Sequence, residues 1–277
     1  MWNASRFTNS GTATLSEDTM REYAPSIFAA TPWRTMSAKY QFIPTIEIVR
    51  AMQRENFQVV KVAQGKSRIE GKGEFTKHMI RFRQTNQSLV VGDTFPEVVL
   101  VNSHDGTSSY QLYAGMFRLT CLNGMVTCLG QHSEYKTRHT GDIQGEVIEA
   151  SYRIVEDFPA LEDAARTWRG RTLTPEQQTA YAASAALLRW DAEQAQPEPH
   201  QFLAIRRHED YTDSSTLWGT YRRVQESLIK GGNRYTQHAD QHMRPARRRT
   251  RAVTGIDQDV KLNRALWSLT EKMAALV

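Results

Sequence analysis

The chain has 277 residues with a net charge of +5, and its 40% hydrophobic and 23% charged residues are close to ordinary globular usage. This composition excludes a collagen-like, mucin-like or wholly disordered chain, and the length suffices for one large domain or two small ones. There is no long apolar run, no apolar secretory segment and no cysteine framework, so we expect a cytoplasmic protein without a membrane span.

The first half of the chain has the patterns of a helix followed by strands. Residues 1–40 show little periodicity, so we expect a flexible arm with a short helix near Ser26. Pro44 is a helix-start signal, and Asn56 can end that helix in a left-handed turn. Strand patterns follow at 58–62, 77–83, 97–101, 109–113 and 116–121. The Asp-Gly pair at 105–106 predicts a hairpin turn between two of them.

The second half has helical spacing. Helices are predicted at 143–158, 175–190, 216–230 and 257–273, with a linker at 194–199. The fold class is therefore α+β: an N-terminal helix and an antiparallel sheet of about five strands, followed by a mostly helical C-terminal half. We divide the chain into an arm (1–40), an α+β sheet domain (41–140) and a helical region (141–277) with a basic loop at 230–251.

The positive charge is concentrated in one segment. Between Gln225 and Arg251 there are seven basic and two acidic residues, a surplus that equals the net charge of the whole chain. A segment of this kind suits a polyanion, because each neutralised phosphate releases counterions. The alternative is a solvated loop, or an anchor for an acidic surface.

Metal-binding patterns are weak in this sequence. Cys121, Cys128, His132 and His139 lack the short spacing between thiolates that is typical of zinc sites. The pair His238 and His242 lacks the glutamate of the metalloprotease pattern. Phosphate-binding loops and nucleophile elbows are also absent, so we expect neither a metal nor a cofactor, and binding rather than catalysis.

The segment 102–109 holds the densest group of catalytic-type side chains. It combines His104 and Asp105 with several hydroxyl groups in one tight turn. Neighbouring residues of a hairpin rarely form a catalytic relay, and the turn alone explains the Asp-Gly pair. A polar binding rim that contacts phosphates is the alternative.

Basic side chains also lie on the predicted strands. Lys77, Arg81 and Arg83 could line one face of a strand and form a basic track beside Arg118 on a neighbouring strand. They could equally form an ordinary solvent-exposed face.

Four strings resemble a known bacterial family. They are, in chain order, FTKHMIRFR, PEVVLVNSHDGTSSYQLYAGMFRLTCLNGM, RVQESLIKGG and TGIDQDVKLNRALW. They are similar to a plasmid- and prophage-borne family, domain of unknown function 932, the "phage/plasmid-like protein" group, and the resemblance runs from about Tyr40 to Trp267. The matching residues are Asn102, His104, Asp105, Gly106, Arg118, Asn123, Gly124, Lys230, Gly231, Gly232, Asp257, Lys261 and Asn263. The family carries no established activity. The resemblance implies mobile elements, the cytoplasm, and proteins that handle DNA or disarm the host.

Our first hypothesis is a nucleic-acid-binding accessory protein of a mobile genetic element, with single-stranded DNA binding or annealing as its activity. The order of elements is similar to that of phage single-strand annealing proteins, which form rings or filaments, so we expect a homo-oligomer. The expected contacts are Lys230, Arg234, Arg244, Arg247, Arg248, Arg249, Arg251, Lys261, Arg264 and Arg118, with Asn102, His104 and Ser108 on the hairpin.

Two other hypotheses remain. One is a counter-defence protein that inhibits a host protein by direct binding, with the basic loop against an acidic surface. The other is a nuclease that uses His104 and Asp105, which one hairpin rarely suffices to build.

Overall fold

The computed structural model describes residues 6–8, 14–36, 40, 42–85, 94–118, 124–126, 134–137, 143–206, 212–237 and 246–277. Its contacts divide the chain into two compact units, Met1–Glu162 and Asp163–Val277. The predicted α+β class is confirmed: the chain has an N-terminal helix, an antiparallel sheet and a mostly helical C-terminal half. The finer division into an arm, a sheet domain and a helical region stays a prediction.

The first unit is an antiparallel sheet with helices before and after it. Its helices are α1 (Glu17–Tyr23), α2 (Thr45–Arg54) and α3 (Ile143–Glu156). Its strands are β1 (Arg6–Thr8), β2 (Phe57–Gln64), β3 (His78–Gln84), β4 (Thr94–Asn102), β5 (Tyr110–Arg118), β6 (Gly124–Val126) and β7 (Glu134–Thr137). They lie in the order β1-β2-β3-β4-β5-β6, and β7 also pairs with β5. The short helix predicted near Ser26 is the 3-10 helix Pro25–Phe28.

Local signals set the entry to the sheet. Helix α2 begins directly after Pro44, and the chain turns at Asn56, which has a φ of 64°. A left-handed residue ends the helical hydrogen-bond ladder, so the chain passes directly into β2. The predicted start and end of this helix are therefore confirmed.

One strand prediction is wrong. Tyr110–Arg118 form a single strand, β5, whereas the sequence pattern predicted separate strands at 109–113 and 116–121. Strand β4 pairs with it without a break from Thr94↔Arg118 to Val101↔Gln111. Because the partner strand supplies backbone hydrogen bonds along this whole length, the small residues in the middle of β5 do not interrupt it.

One face of the sheet forms the apolar core of this unit. Ile80 lies opposite Leu100 and Phe82 lies opposite Val98, and all four side chains are fully buried. Helices α2 and α3 pack against the strands, and Thr45 of α2 contacts side chains on this face. The alternation of side chains along each strand brings these apolar residues to one side of the sheet.

The other face of the sheet carries buried charges. Glu97, which is fully buried, accepts hydrogen bonds from Arg81 Nε at 2.6 Å and from Arg83 Nη2 at 2.5 Å. Arg81 and Arg83 therefore form neither the basic track nor the solvent face that the sequence left open, since a buried carboxylate holds both side chains. Buried charges persist only when they are paired and hydrogen-bonded, which explains this arrangement.

Replacing Glu97 by alanine should lower the free energy of unfolding by about 3 kcal/mol, because two guanidinium groups would lose the carboxylate that compensates their burial. The matched control is Glu17→Ala, which removes the carboxylate that pairs with Arg50. The side chain of Glu17 is 39% exposed and that of Arg50 is 52% exposed. Solvent screens that pair, so its loss should change stability little. Urea unfolding of both variants measures the difference, and equal losses would contradict the prediction.

The second unit is helical. It begins within α4 (Phe158–Gly170) and continues with α5 (Pro175–Ala186), α6 (Pro199–Phe202), α7 (Leu217–Lys230) and α8 (Ile256–Leu276). Its core contains Trp168, Trp218, Tyr221 and Trp267, and the ring centroids of Trp168 and Trp267 lie 4.5 Å apart. Such tilted aromatic contacts add to the area that these large side chains remove from water.

The segment predicted as a basic loop is partly regular. Strands β8 (Arg234–Gln237) and β9 (Ala246–Arg249) form an antiparallel pair between α7 and α8. We call this pair the basic ribbon. Sequence reasoning missed it because runs of arginine have no strand periodicity of apolar residues.

Candidate nucleic-acid interface

The chain turns at Gly231, between the end of α7 and the start of the basic ribbon. This residue has a φ of 67°, and a Cβ there would lie 2.7 Å from the Arg251 carbonyl group and from the Thr250 carbonyl oxygen. Only glycine combines this backbone angle with so close an approach. The predicted helix end at Gly231 is confirmed. The turn at this residue brings the chain before β8 close to the chain after β9.

Buried polar groups fix the base of the ribbon. Thr250 donates its backbone N–H to the Asn233 carbonyl oxygen at 2.9 Å, and Asn233 donates its own to the Thr250 hydroxyl at 3.1 Å. The Asn233 side chain also bonds Ser227 of α7, and Arg206 donates to the Gly231 carbonyl oxygen at 2.9 Å. The ribbon is therefore anchored on α7.

The register of the ribbon sorts its side chains onto two faces. Arg234 lies opposite Arg249, and Thr236 lies opposite Arg247, so these residues share one face. The other face carries Tyr235 opposite Arg248. Arg234, Arg247, Arg248 and Arg249 are all exposed. One face is thus rich in guanidinium groups, and the other pairs a guanidinium group with an aromatic ring.

Residues of both faces of the ribbon line an open cleft of about 640 Å³, which we call the arginine cleft. Its lining residues are Gln196, Glu198, Gln201, Arg234, Tyr235, Thr236, Arg247, Arg248 and Arg249. The predicted linker contributes Gln196 and Glu198, which sequence reasoning missed, because nothing in the sequence connects residues so far apart along the chain. Glu198 is the single acidic residue among these lining residues.

The ribbon arginines have no acidic partners in the part of the chain that the structure describes. Within the described ranges, no carboxylate lies within ion-pair distance of Arg234, Arg247, Arg248, Arg249 or Arg251. Like charges placed directly opposite each other, as Arg234 and Arg249 are, destabilise a strand pair. An anion bound between them would remove that repulsion, and the fork of a guanidinium group matches a phosphate.

The other predicted contact residues differ in their surroundings. Lys230 forms an ion pair with Glu226 one turn earlier in α7. Lys261 is exposed on α8, and Arg264 is half-buried on the same helix. Arg244 and the side chain of Arg118 lie outside the described residues. The structure thus places Arg234, Arg247, Arg248 and Arg249 in one cleft and does not show the remaining ones there.

The predicted hairpin rim is buried inside the first unit. Asn102 and His104 are fully buried, and Ser108 is 7% exposed. Side chains in this position do not reach a ligand at the surface. The part that these three residues take in binding stays a prediction, and their visible contacts are those of a structural turn.

The hydroxyl group of Thr45 organises this turn. Asn102 Nδ2 donates to Thr45 Oγ1, and the Nε2 atoms of His78 and His104 also lie 3.0 Å from it. A hydroxyl group has one proton to donate, so one histidine accepts from it and the other donates to it. His78 Nδ1 lies 2.9 Å from the Ser26 hydroxyl oxygen and 3.3 Å from the Thr76 carbonyl oxygen, so both ring nitrogens of His78 have hydrogen-bond partners.

Asp105 closes the same turn. Burial alone would raise the pKa of its carboxyl group, but hydrogen bonds from Thr107 and Lys72 outweigh burial and lower that pKa below its ordinary value. The Lys72 ammonium group lies 3.0 Å from the carboxylate. Asp105 is thus an ionised turn residue with its partners in place, and Gly106 beside it has a φ of 77°.

The pairs and clusters weighed for metal binding give no site in the described part of the chain. No group of three or more His, Cys, Asp or Glu side chains in those ranges is placed to hold a metal ion. Cys121, Cys128, His132, His139, His238 and His242 lie outside the described residues. No helix in the described ranges is long and apolar enough to cross a bilayer.

The buried His78 should make the first unit sensitive to acid. Burial, followed by the neighbouring His104, holds the pKa of His78 well below its ordinary value of 6.5. Below about pH 6.5 the unfolded chain binds a proton that the folded chain does not. The free energy of unfolding should therefore fall with falling pH by up to about 1.4 kcal/mol per pH unit below this pH. Above about pH 6.5, His78 should contribute no dependence of the free energy of unfolding on pH.

Urea unfolding at a series of pH values measures this slope. His78→Gln should flatten it, while His200→Gln, at an exposed position of α6, should leave it unchanged. An unaltered slope in His78→Gln would contradict the assignment.

Comparison with known proteins agrees with the resemblance noted in the sequence. The sequence profile of the family described as "Domain of unknown function (DUF932)" matches residues 32–267. The chain is 39% identical to the Escherichia coli (strain K12) proteins named "UPF0380 protein YafZ" and "UPF0380 protein YfjQ", over 94% of this chain and 91% of each relative. No solved structure matches it. The chain belongs to the family of domain of unknown function 932.

Proposed function

We propose that this protein is a cytoplasmic nucleic-acid-binding accessory protein of a mobile genetic element, and that the basic ribbon contacts the phosphate backbone. The observation that carries the proposal is the set of exposed ribbon arginines without acidic partners among the described residues. The mobile-element context comes from the family resemblance. Assembly into homo-oligomers stays a prediction.

The ribbon has the chemistry of a backbone-binding surface. Arg247 and Arg249 lie on one face, two residues apart and hence about 7 Å apart along the strand. This spacing is comparable to the step between neighbouring phosphates of an extended strand. Each phosphate that an arginine neutralises releases counterions, so binding should weaken steeply as salt rises.

Single-stranded DNA is the favoured ligand. Tyr235 and Arg248 lie opposite each other on the second face of the ribbon. Aromatic rings and guanidinium groups both stack on unpaired bases, and such stacking tolerates any sequence. A two-stranded ribbon can also enter the major groove of duplex DNA, so the test compares both forms.

The test is fluorescence anisotropy with a labelled single strand and its duplex at several salt concentrations. Arg234→Ala, Arg247→Ala and Arg249→Ala combined should weaken binding at least tenfold. If each arginine neutralises one phosphate of a single strand, the slope of log K against log salt should fall by about 2. The control combines Arg153→Ala, Arg166→Ala and Lys272→Ala, which removes the same charge from exposed helix positions outside the cleft.

The control variant should bind like the wild-type protein. Absence of binding by the wild-type protein at low salt, or equal losses in both variants, would overturn the proposal.

The second candidate is a counter-defence protein that binds a host protein directly. The same exposed arginines fit an acidic protein surface, since complementary charge steers such encounters. The test is capture of a host protein from lysate by the wild-type protein. Capture that persists after nuclease treatment, and that is lost in the variant with Arg234, Arg247 and Arg249 replaced by alanine but not in the control variant, would favour this candidate. Loss of all partners after nuclease treatment would count against it.

A further inference from the structure

A second, more apolar cleft adjoins the arginine cleft. It has a volume of about 380 Å³ and lies between the end of α5 and the start of α6. Its lining residues are Ala183, Ser184, Ala186, Leu187, Gln196, Pro197, Glu198 and Pro199. Leu187 is 55% exposed and gives this cleft an accessible apolar side chain.

The two clefts share part of their lining. Gln196 and Glu198 line both of them, so the clefts meet at a single short segment of the chain. A ligand that contacts both clefts at this segment would carry an anionic group next to an apolar group. Both volumes fall within the usual range of roughly 300–1,000 Å³ for ligand sites.

We propose that the apolar cleft, lined by Leu187, Ala183 and Pro197, holds an unpaired base of the nucleic acid whose phosphates the ribbon arginines contact. This inference rests on the proposed function. A nucleotide carries a phosphate and a flat base in one unit. It can therefore place its phosphate beside the arginines and its base in the apolar cleft.

Glu198 supports a base rather than a second phosphate at the border of the clefts. It is exposed and is the acidic residue that both sets of lining residues share. A carboxylate repels phosphate but accepts hydrogen bonds from the exocyclic amino groups of bases. The exposed apolar side chain of Leu187 provides contact area for the face of the base.

A base in this cleft must be unpaired. A paired base is stacked on both sides and hydrogen-bonded to its partner, so entry into a side cleft means leaving the duplex stack. Single strands have no partner to lose. The apolar cleft therefore gives a structural reason for a preference for single strands, which the arginines alone do not give.

The experiment compares a single-stranded oligonucleotide with an abasic oligonucleotide of the same length and charge. Both present the same phosphates to the ribbon, but only one has bases. The wild-type protein should bind the base-containing strand about tenfold more tightly, because stacking of one base on a protein surface is of that order.

Two variants at neighbouring exposed positions locate the effect. Leu187→Glu places a charge in the apolar cleft and should abolish most of the tenfold difference between the base-containing and abasic strands. Leu188→Glu adds the same charge at a residue that is 39% exposed and does not line the cleft, and it should leave that tenfold difference unchanged. Thermal unfolding checks that both variants stay folded.

The outcomes separate the two proposals. Equal affinity of the wild-type protein for the normal and abasic strands would overturn the base site and leave the ribbon proposal intact. An unchanged preference in Leu187→Glu would also overturn the base site. Failure of the wild-type protein to bind either strand at low salt would overturn the proposed function itself.

Discussion

The chain leaves helix α7 at Gly231 with a backbone angle that residues with a side chain rarely adopt, and the basic ribbon depends on this turn. The close approach of Gly231 to Thr250 and Arg251 brings both ends of the ribbon segment to one point. Asn233 and Thr250 then begin the antiparallel pairing with buried hydrogen bonds. With its base fixed in this way, the ribbon can present several arginines side by side despite their mutual repulsion.

Arginine has opposite roles in the two units. In the first unit, Arg81 and Arg83 surround the buried carboxylate of Glu97 and belong to the interior of the sheet. In the second, Arg247 and Arg249 lie exposed in a cleft with no acidic partner among the described residues. Both sets look alike in the sequence. What separates them is the position of a carboxylate, which cross-strand register decides.

The polar turn after β4 shows the same distinction between composition and surroundings. Its histidine, asparagine and serine side chains are of the kinds that catalytic sites use, yet Thr45 Oγ1 contacts His104 Nε2 and Asn102 Nδ2, and the Ser103 hydroxyl oxygen accepts from the Ser108 backbone N–H. A buried polar network of this kind makes one arrangement of the turn much more favourable than others. The same burial holds the pKa of His78, which contacts Thr45 from β3, well below its ordinary value.

The sequence by itself determined the α+β class, the helix that ends at Asn56, the helix that ends at Gly231 and the concentration of positive charge after it. These features rest on local physics: side-chain periodicity, backbone angles that few residues adopt, and charge that the chain carries wherever it folds. Tertiary structure alone decided that β5 is one strand, that His104 is buried, and that Gln196 and Glu198 line the arginine cleft. Such facts depend on pairing partners distant in the chain, and a single sequence does not record which distant residues meet.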